Sequence, residues 1–358
     1  MKRILWLAIV ATAFTACKKE TDQAAPGGNS GAAYSDAALL NDFTLNVAQA
    51  NYNDLAARTT TLQQAVAAFT ASGSEADLAS CKQAWHDARH AWENSESMLF
   101  GPVSTGNIDP RIDTWPVNFV DLDAQLSSGN AFTPAYISGL EDALKGFHPI
   151  EYLLFGQDGN KTAAQFTDRE REYLTALAND VAQLTATLAN AWAPATTGNY
   201  SEVLRTAGEG STVYGTRLAA FEELVNAMAG ICDEVANTKM FEPFQAQDPS
   251  LEESPFANSS IADFTNNIRG IQNVYLGRYG STDGVGLEDL VRQYNLQLDG
   301  QIKLQITAAI DALNAITVPF GEAITTQQVQ VQQAMDAINV LAGTLNDQLL
   351  PLVQQHVQ

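Results

Sequence analysis

Residues 76–99 read ADLASCKQAWHDARHAWENSESML. Leu78, Cys81, Trp85, Ala88, Trp92, Ser95 and Leu99 recur three or four apart. That spacing gathers one face of a helix and does not fit the period of two that a strand requires. The same period runs through 36–69 (Leu40, Phe43, Val47, then Leu55, Leu62, Val66) and through 162–190 (Phe166, Tyr173, Leu174, Leu177, Val181, Leu184, Leu188). Helices are expected again at 212–238, 259–276, 286–317 and 323–352. Gly230 weakens the first of these. A short helix at 134–145 is expected to end at Gly146. The next has Pro149 in its first turn and closes by Gly156. The Gln-rich stretch 325–334 keeps the helical period through Val331, Ala334, Ile338 and Leu341, so it reads as a helix with an uncharged outer face. The segment 239–258, with Pro243, Pro249 and Pro255, reads as loop-rich.

No run alternates long enough to demand a sheet. Long helices with short connections make this an all-α chain built as helical bundles. The stretch Ala-Pro-Ala-Thr-Thr-Gly-Asn-Tyr-Ser at 193–201 is the expected junction. It divides an N-terminal bundle, 35–195, from a C-terminal bundle, 196–358. Each half has an ordinary domain size.

The 358 residues carry 41 Asp+Glu against 19 Lys+Arg, a formal net charge of -22. Nucleic-acid binding, which needs clustered Lys and Arg, is excluded as a function class, and so is a polybasic membrane-binding face. The 46% hydrophobic content excludes a mainly disordered chain. Excess carboxylate leaves cation binding open, although an acidic surface mostly serves solubility.

Residues 1–17 read as an export signal: Lys2 and Arg3, an apolar stretch Ile4 to Phe14, then Thr15, Ala16 and Cys17. The apolar run is too short to span a bilayer as a mature helix. A cysteine after two small residues resembles a lipobox, in which Cys17 becomes the lipidated first residue of the mature chain. That places the protein in a bacterial cell envelope, joined to a membrane by its N-terminal lipid. Lys18 after the cysteine favours the outer membrane by analogy. Residues 18–34 read as a flexible tether. Cys81 and Cys232 lie in helical segments and read as buried thiols; two cysteines are too few for a disulfide scaffold. No heptad seam asks for a second copy, so a monomer is expected.

Chemistry has few places to live. The chain has four histidines: His86, His90, His148 and His356. It has no zinc-protease His-Glu-x-x-His, no glycine-rich phosphate loop and no nucleophile elbow. Ser211 reads as a helix cap and His356 as exposed. His148 and Glu151, three apart, place an imidazole and a carboxylate on one helix face, able to share a cation. The same two residues also suit plain capping at a helix start, and spacing alone does not choose. His86, His90 and Glu93 repeat the geometry, but beside Asp87 and Arg89 they read as a solvent-side polar face. Glu93, Glu96, Asp109, Asp113, Asp121 and Asp123 flank Trp115-Pro116. Each alone is a cap or surface group; as a set they suggest a cleft beside His148.

Four stretches carry a resemblance. They are Ala91-Trp92-Glu93 through Phe100-Gly101-Pro102; Trp115-Pro116; Gly146-x-His148-x-x-Glu151 followed by Tyr152-Leu153-Leu154-Phe155-Gly156; and Glu252-Glu253-Ser254-Pro255-Phe256 through Asp263-Phe264 to Asn267-Ile268-Arg269-Gly270-Ile271-Gln272-Asn273-Val274-Tyr275-Leu276-Gly277. With these the chain resembles the imelysin family, also called the peptidase M75 superfamily, over roughly residues 35–355. The resemblance implies two helical bundles with the signature near their interface, export, and a link to iron acquisition through envelope iron-uptake partners. It implies a metal site at His148 and Glu151, with Glu96 and Asp113 as sources of missing ligands and iron or zinc, divalent or ferric, as the ion. Glu93, Trp115, Ser254, Asn258 and Arg269 are further site candidates. The family label also raises a metallopeptidase, in which Glu151 serves as catalytic base or as ligand. A zinc hydrolase usually needs three protein ligands and a water, and the signature offers two. A third reading is a binding or scaffold protein in which His148 and Glu151 hold the interface without metal.

Overall fold

The computed structural model describes residues 34–358. The export signal with Cys17, and the tether except for its last residue, lie outside the described residues. Helix α1 (Asp36–Asp42) starts on Ser35, whose hydroxyl accepts the Ala38 N–H. A π-turn, Phe43–Ala48, carries it into α2 (Gln49–Ser72), which ends on Gly73 in the left-handed region. Helix α3 (Glu75–Ser95) opens on Ser74, which accepts the Asp77 N–H at 3.1 Å. Glu75 and Asp77 in its first turn complement the helix dipole. Leu78, Cys81, Trp85, Ala88 and Trp92 are all buried, as their spacing requires.

Helix α4 (Phe147–Phe155) and α5 (Asp168–Trp192) complete the first set: α2 packs on α3 and α5, and α4 lies against both of these. The second set comprises α6 (Arg217–Glu234), α7 (Ser260–Leu276), α8 (Leu287–Tyr294), α9 (Leu296–Asn314), α10 (Gln328–Thr344) and α11 (Leu350–His356). Here α9 packs on α10 and α7, and α6 on α10 and α11. The sets join where α7 crosses α3, and the buried apolar core runs without a break from Leu39 to Val357. A two-residue hairpin pairs Arg278–Tyr279 with Thr282–Asp283. Cys81 and Cys232 are buried and free.

Several boundaries differ from the sequence expectation. Residues 134–145 form two short turns, Pro134–Ser138 and Asp142–Leu144, instead of one helix. Gly146 does not end that segment; it precedes α4 with φ 88°, and a Cβ there would collide with the Ile112 backbone. Helix α5 starts later than 162, because Thr167 and Glu170 form a capping box. The stretch 286–317 breaks at Asn295, whose side chain caps α9. The stretch 239–258 contains a helical segment, Phe241–Ala246, before its loop. Thr216, not Ser211, caps α6; Ser211 instead accepts the Tyr214 N–H in a turn. His356 is half-covered, stacked on Tyr294 with centroids 3.6 Å apart.

Two glycines test this packing. Gly270 of α7 faces the Asn94 carbonyl of α3 so closely that a Cβ would collide with it. Gly230, inside α6, has open space around it. Gly270→Ala is expected to destabilise the protein by about 1–3 kcal/mol through forced separation of the helices. Gly230→Ala is expected to stabilise it by roughly 0.5–1 kcal/mol through helix propensity. Urea unfolding checks both; equal effects of one sign would contradict the α3–α7 contact.

Candidate metal centre

The crossing of α3 and α7 encloses charge, not only apolar side chains. Helix α3 turns Arg89 and Glu93 inward one turn apart, and Glu96 follows on the 3₁₀ turn Glu96–Met98. Asp113 ends the short helix Asp109–Asp113 and is fixed by the Trp92 indole, whose Nε1 donates to Oδ2 at 2.7 Å. Helix α4 brings His148 and Glu151, and the Trp85 indole anchors that helix by donating to the Phe147 carbonyl at 3.0 Å. Lys239 ends a π-turn, Val235–Lys239, that follows α6. Glu252 and Glu253 lie on the connection into α7, which contributes Asp263 and Asn267. All these side chains are buried.

Arg89 pairs with Asp113 and Glu93, with Glu253 at 3.1 Å and with Asp263 at 3.5 Å. The Lys239 ammonium lies 2.8 Å from Glu253 Oε1 and 2.9 Å from Glu96 Oε2, with the Trp115 ring 5.3 Å away. Asn267 Nδ2 donates to Glu93 Oε2 at 2.8 Å and to Glu96 Oε2 at 2.6 Å. His148 Nδ1 lies 3.3 Å from Glu151 Oε2. Glu151 Oε1 accepts the backbone N–H groups of Phe256 and Ala257 at 2.9 and 2.8 Å. Glu151 thus ties the His148 ring to the loop before α7. His148 Nε2 is 3.1 Å from Asp113 Oδ1, yet neither it nor Glu253 Oε2 has a hydrogen-bond partner in the protein.

The charges do not cancel pairwise. Glu93, Glu96, Asp113, Glu151, Glu253 and Asp263 face two permanent cations, Arg89 and Lys239. Burial and mutual repulsion push Glu93 and Glu96 well above the usual carboxylate range, against the pull of the cations. Burial raises Asp263 to about 6 against the pull of Arg89, and it raises Glu252 to about 7. Burial would raise Asp113 too, but Arg89 and His148 outweigh it and hold Asp113 low. Burial would lower His148, but Asp113 and Glu151 outweigh it and raise the imidazole to about 9. The cluster therefore holds protons at neutral pH in place of cations.

Two triads bring ligand atoms within 4.8 Å of one another: Asp113, His148 and Glu253; and Glu93, Glu96 and Asp113. An imidazole with carboxylates, including two orphaned buried atoms, fits an iron or zinc ion. In that arrangement Glu151 orients His148 from behind, the usual support for a ligating histidine.

The structure gathers most of the sequence candidates. His148, Glu151, Glu93, Glu96 and Asp113 converge, and Trp115 packs 6.4 Å from His148, centroid to centroid. Ser254 stands one step back, its hydroxyl donating to Asp263 Oδ2 at 2.6 Å. Glu151 belongs to neither triad, because its oxygens hold His148 and the loop; it is placed as a positioning group, not as a ligand. Asn258 and Arg269 are outside the cluster. Asn258 is an exposed turn residue with φ 51°, and Arg269 is half-buried with no ion pair among the described residues. Asp121 and Asp123 are exposed. Among the described residues no triad includes His86 or His90. Arg89, expected on a solvent face, is the hub of the cluster. Lys239 went unsignalled, because the π-turn shifts its position off the helical period.

The imelysin (peptidase M75) profile matches residues 48–349. The chain belongs to the imelysin family. Iron-regulated protein A of Synechococcus elongatus is 33% identical over 321 residues, which cover 88% of this chain and 86% of that protein. A crystal structure from Parabacteroides distasonis, assigned as an iron-regulated protein A precursor, has a TM-score of 0.81 at 28% identity and covers 92% of this chain and 97% of its own. An imelysin-like protein from Psychrobacter arcticum has a TM-score of 0.72, covering 89% and 95%; at 13% identity it shows the shared fold alone. The all-α imelysin-like fold expected from the signature is the one observed.

In this imelysin the raised His148 pKa makes a pH statement. A histidine raised from 6.5 to about 9 on folding contributes stability fully below pH 6.5 and loses it as pH rises through 9. The shift corresponds to roughly 3 kcal/mol. In chelator, the stability difference between wild type and His148→Gln is expected to fall by about that amount from pH 6 to pH 9.5. A difference that does not vary with pH in urea unfolding would refute the doubly paired imidazolium.

Proposed function

We propose that this imelysin is a metal-binding protein of the bacterial envelope that serves iron acquisition, with its ion held by Asp113, His148 and Glu253. The observation that carries this reading is the pair of orphaned buried atoms, His148 Nε2 and Glu253 Oε2, beside Asp113. A bound ion would supply the positive charge that the carboxylate excess lacks. Loading requires His148 to release its proton, so affinity rises with pH. The names of its relatives, which speak of iron regulation, support iron as the ion.

The metallopeptidase reading has less support. The cleft lined by Trp115, Phe119, His148, Glu253 and Phe256 has a volume of about 20 Å³, room for about one water and not for a peptide. Glu151 is tied to two backbone N–H groups, so it is a poor candidate for the base. The metal-free scaffold reading draws on Arg89 and Lys239, which already neutralise part of the acid.

Envelope attachment rests on Cys17. No helix among the described residues is long and apolar enough to cross a membrane. We take the protein as a monomer on a lipid anchor, facing envelope iron-uptake partners. Cys17→Ser is expected to move the protein from the membrane fraction of the producing bacterium to the soluble fraction. An unchanged distribution argues against the anchor.

Calorimetric titration of the lipid-free protein with Fe(II), Zn(II) and Ca(II) tests the site. Binding of Fe(II) or Zn(II) is expected, abolished in His148→Ala and weakened about 10–100-fold in Glu151→Gln, which loosens the ring. Absence of binding for all three ions, with wild type and His148→Ala alike, defeats the proposal.

A further inference from the structure

Lys239 is fully buried, and its ammonium has the surroundings of a bound cation. Glu253 Oε1 and Glu96 Oε2 are at 2.8 and 2.9 Å, Glu234 Oε1 at 3.7 Å and Glu93 Oε2 at 4.0 Å. The Trp115 ring closes another side at 5.3 Å, a cation–π distance. Two of these carboxylates, Glu93 and Glu96, belong with Asp113 to the second triad. Asp113 also belongs to the first triad. The two triads are therefore adjacent and share one carboxylate, the arrangement in which one acidic group can bridge two ions. Asn267 fixes Glu93 and Glu96 with its amide, so these carboxylates are held together independently of Lys239. Glu253 keeps Oε2 unpartnered beside them.

We propose that Lys239 is the resident cation of a second metal position, formed by Glu93, Glu96 and Asp113, and that it limits the centre to a single ion. The first ion rests on the function proposed above; the second position does not. Lys239 carries its charge on the chain itself, so it cannot be exchanged, and it lowers the attraction of the neighbouring carboxylates for a second dication. The π-turn matters here. Val235–Lys239 widens the helix by one residue at the level where the ammonium must reach Glu96 and Glu253. Arg89 is the other cation facing the cluster, but its fork is spread over Asp113, Glu93, Glu253 and Asp263 and fills neither triad as a point charge.

The test is metal stoichiometry. Wild type, Lys239→Met and Lys239→Arg are equilibrated with Zn(II) or Mn(II), desalted, and assayed for metal per chain by elemental analysis. Lys239→Met keeps the stem and deletes the charge. It is expected to carry one ion more than wild type, whereas Lys239→Arg matches wild type. Adding Glu96→Gln to Lys239→Met is expected to remove the gained ion. If Lys239→Met carries no more metal than wild type, the second position is refuted. If wild type carries none and Lys239→Met carries one, the function proposed above fails while this inference stands. Deleting the ammonium leaves buried carboxylates unpaired, so Lys239→Met can unfold when metal-free. In that event Zn(II) or Mn(II) is expected to restore its helical circular dichroism, and failure to restore it overturns the proposal.

Discussion

The fold depends on keeping two positive charges in its interior. Arg89 and Lys239 are fully buried, and each is tolerable only because carboxylates from several separate segments surround it. Breaking such a pair by removing one partner typically destabilises a protein by about 3–5 kcal/mol, since the other charge stays buried. The constraint therefore reaches outward. Helices α3 and α7 must cross closely enough for Glu93 and Glu96 to meet Asn267, and Gly270 allows it by presenting no side chain to Asn94. The Trp85 and Trp92 indoles then set the positions of α4 and Asp113. Apolar burial supplies most of the stability of the two helix sets, but the charged cluster fixes how they meet.

Where residues follow one period into one core, the sequence was a sufficient guide. The tryptophan face of α3, the Gln-rich α10 and the stop at Gly156 belong to this class, because burial of one stripe decides each of them. The readings that failed were decided by contacts distant in sequence. Arg89 follows Ala88 on a helix with alternating charge, and such a residue normally faces solvent. Only Glu93, four positions on, hinted at a partner, and Glu253 and Asp263 are far along the chain. Lys239 follows a π-turn, which breaks the very periodicity used to detect helices. Gly146 looked like a terminator because glycine usually closes helices; here the approach of the Ile112 backbone demands it at a start. The ligating set was half legible: His148, Glu96 and Asp113 came from the signature and its surroundings, whereas Glu253 appeared only as part of a resembling stretch.

The electrostatics give the centre a choice of positive partners. Protons, the two basic side chains and a metal ion compete for the same carboxylates. Protonated His148 and raised glutamates let the empty cluster exist without a large uncompensated charge, so the protein need not be metal-loaded to fold. An ion gains the site by displacing protons, not by filling a void, which couples loading to pH.

The separation of the ligands along the chain has a consequence for where an ion is acquired. Glu96, Asp113, His148 and Glu253 come from both helix sets, and the unfolded polypeptide brings none of them together. A chain threaded through a translocation channel carries scattered acids and a lone imidazole, with no more appetite for metal than any acidic peptide. The centre appears only when the last contact across α3 and α7 closes. Its cargo is then drawn from the compartment in which folding finishes, and the ion content of that compartment, more than the Irving–Williams ranking of affinities, decides what occupies it.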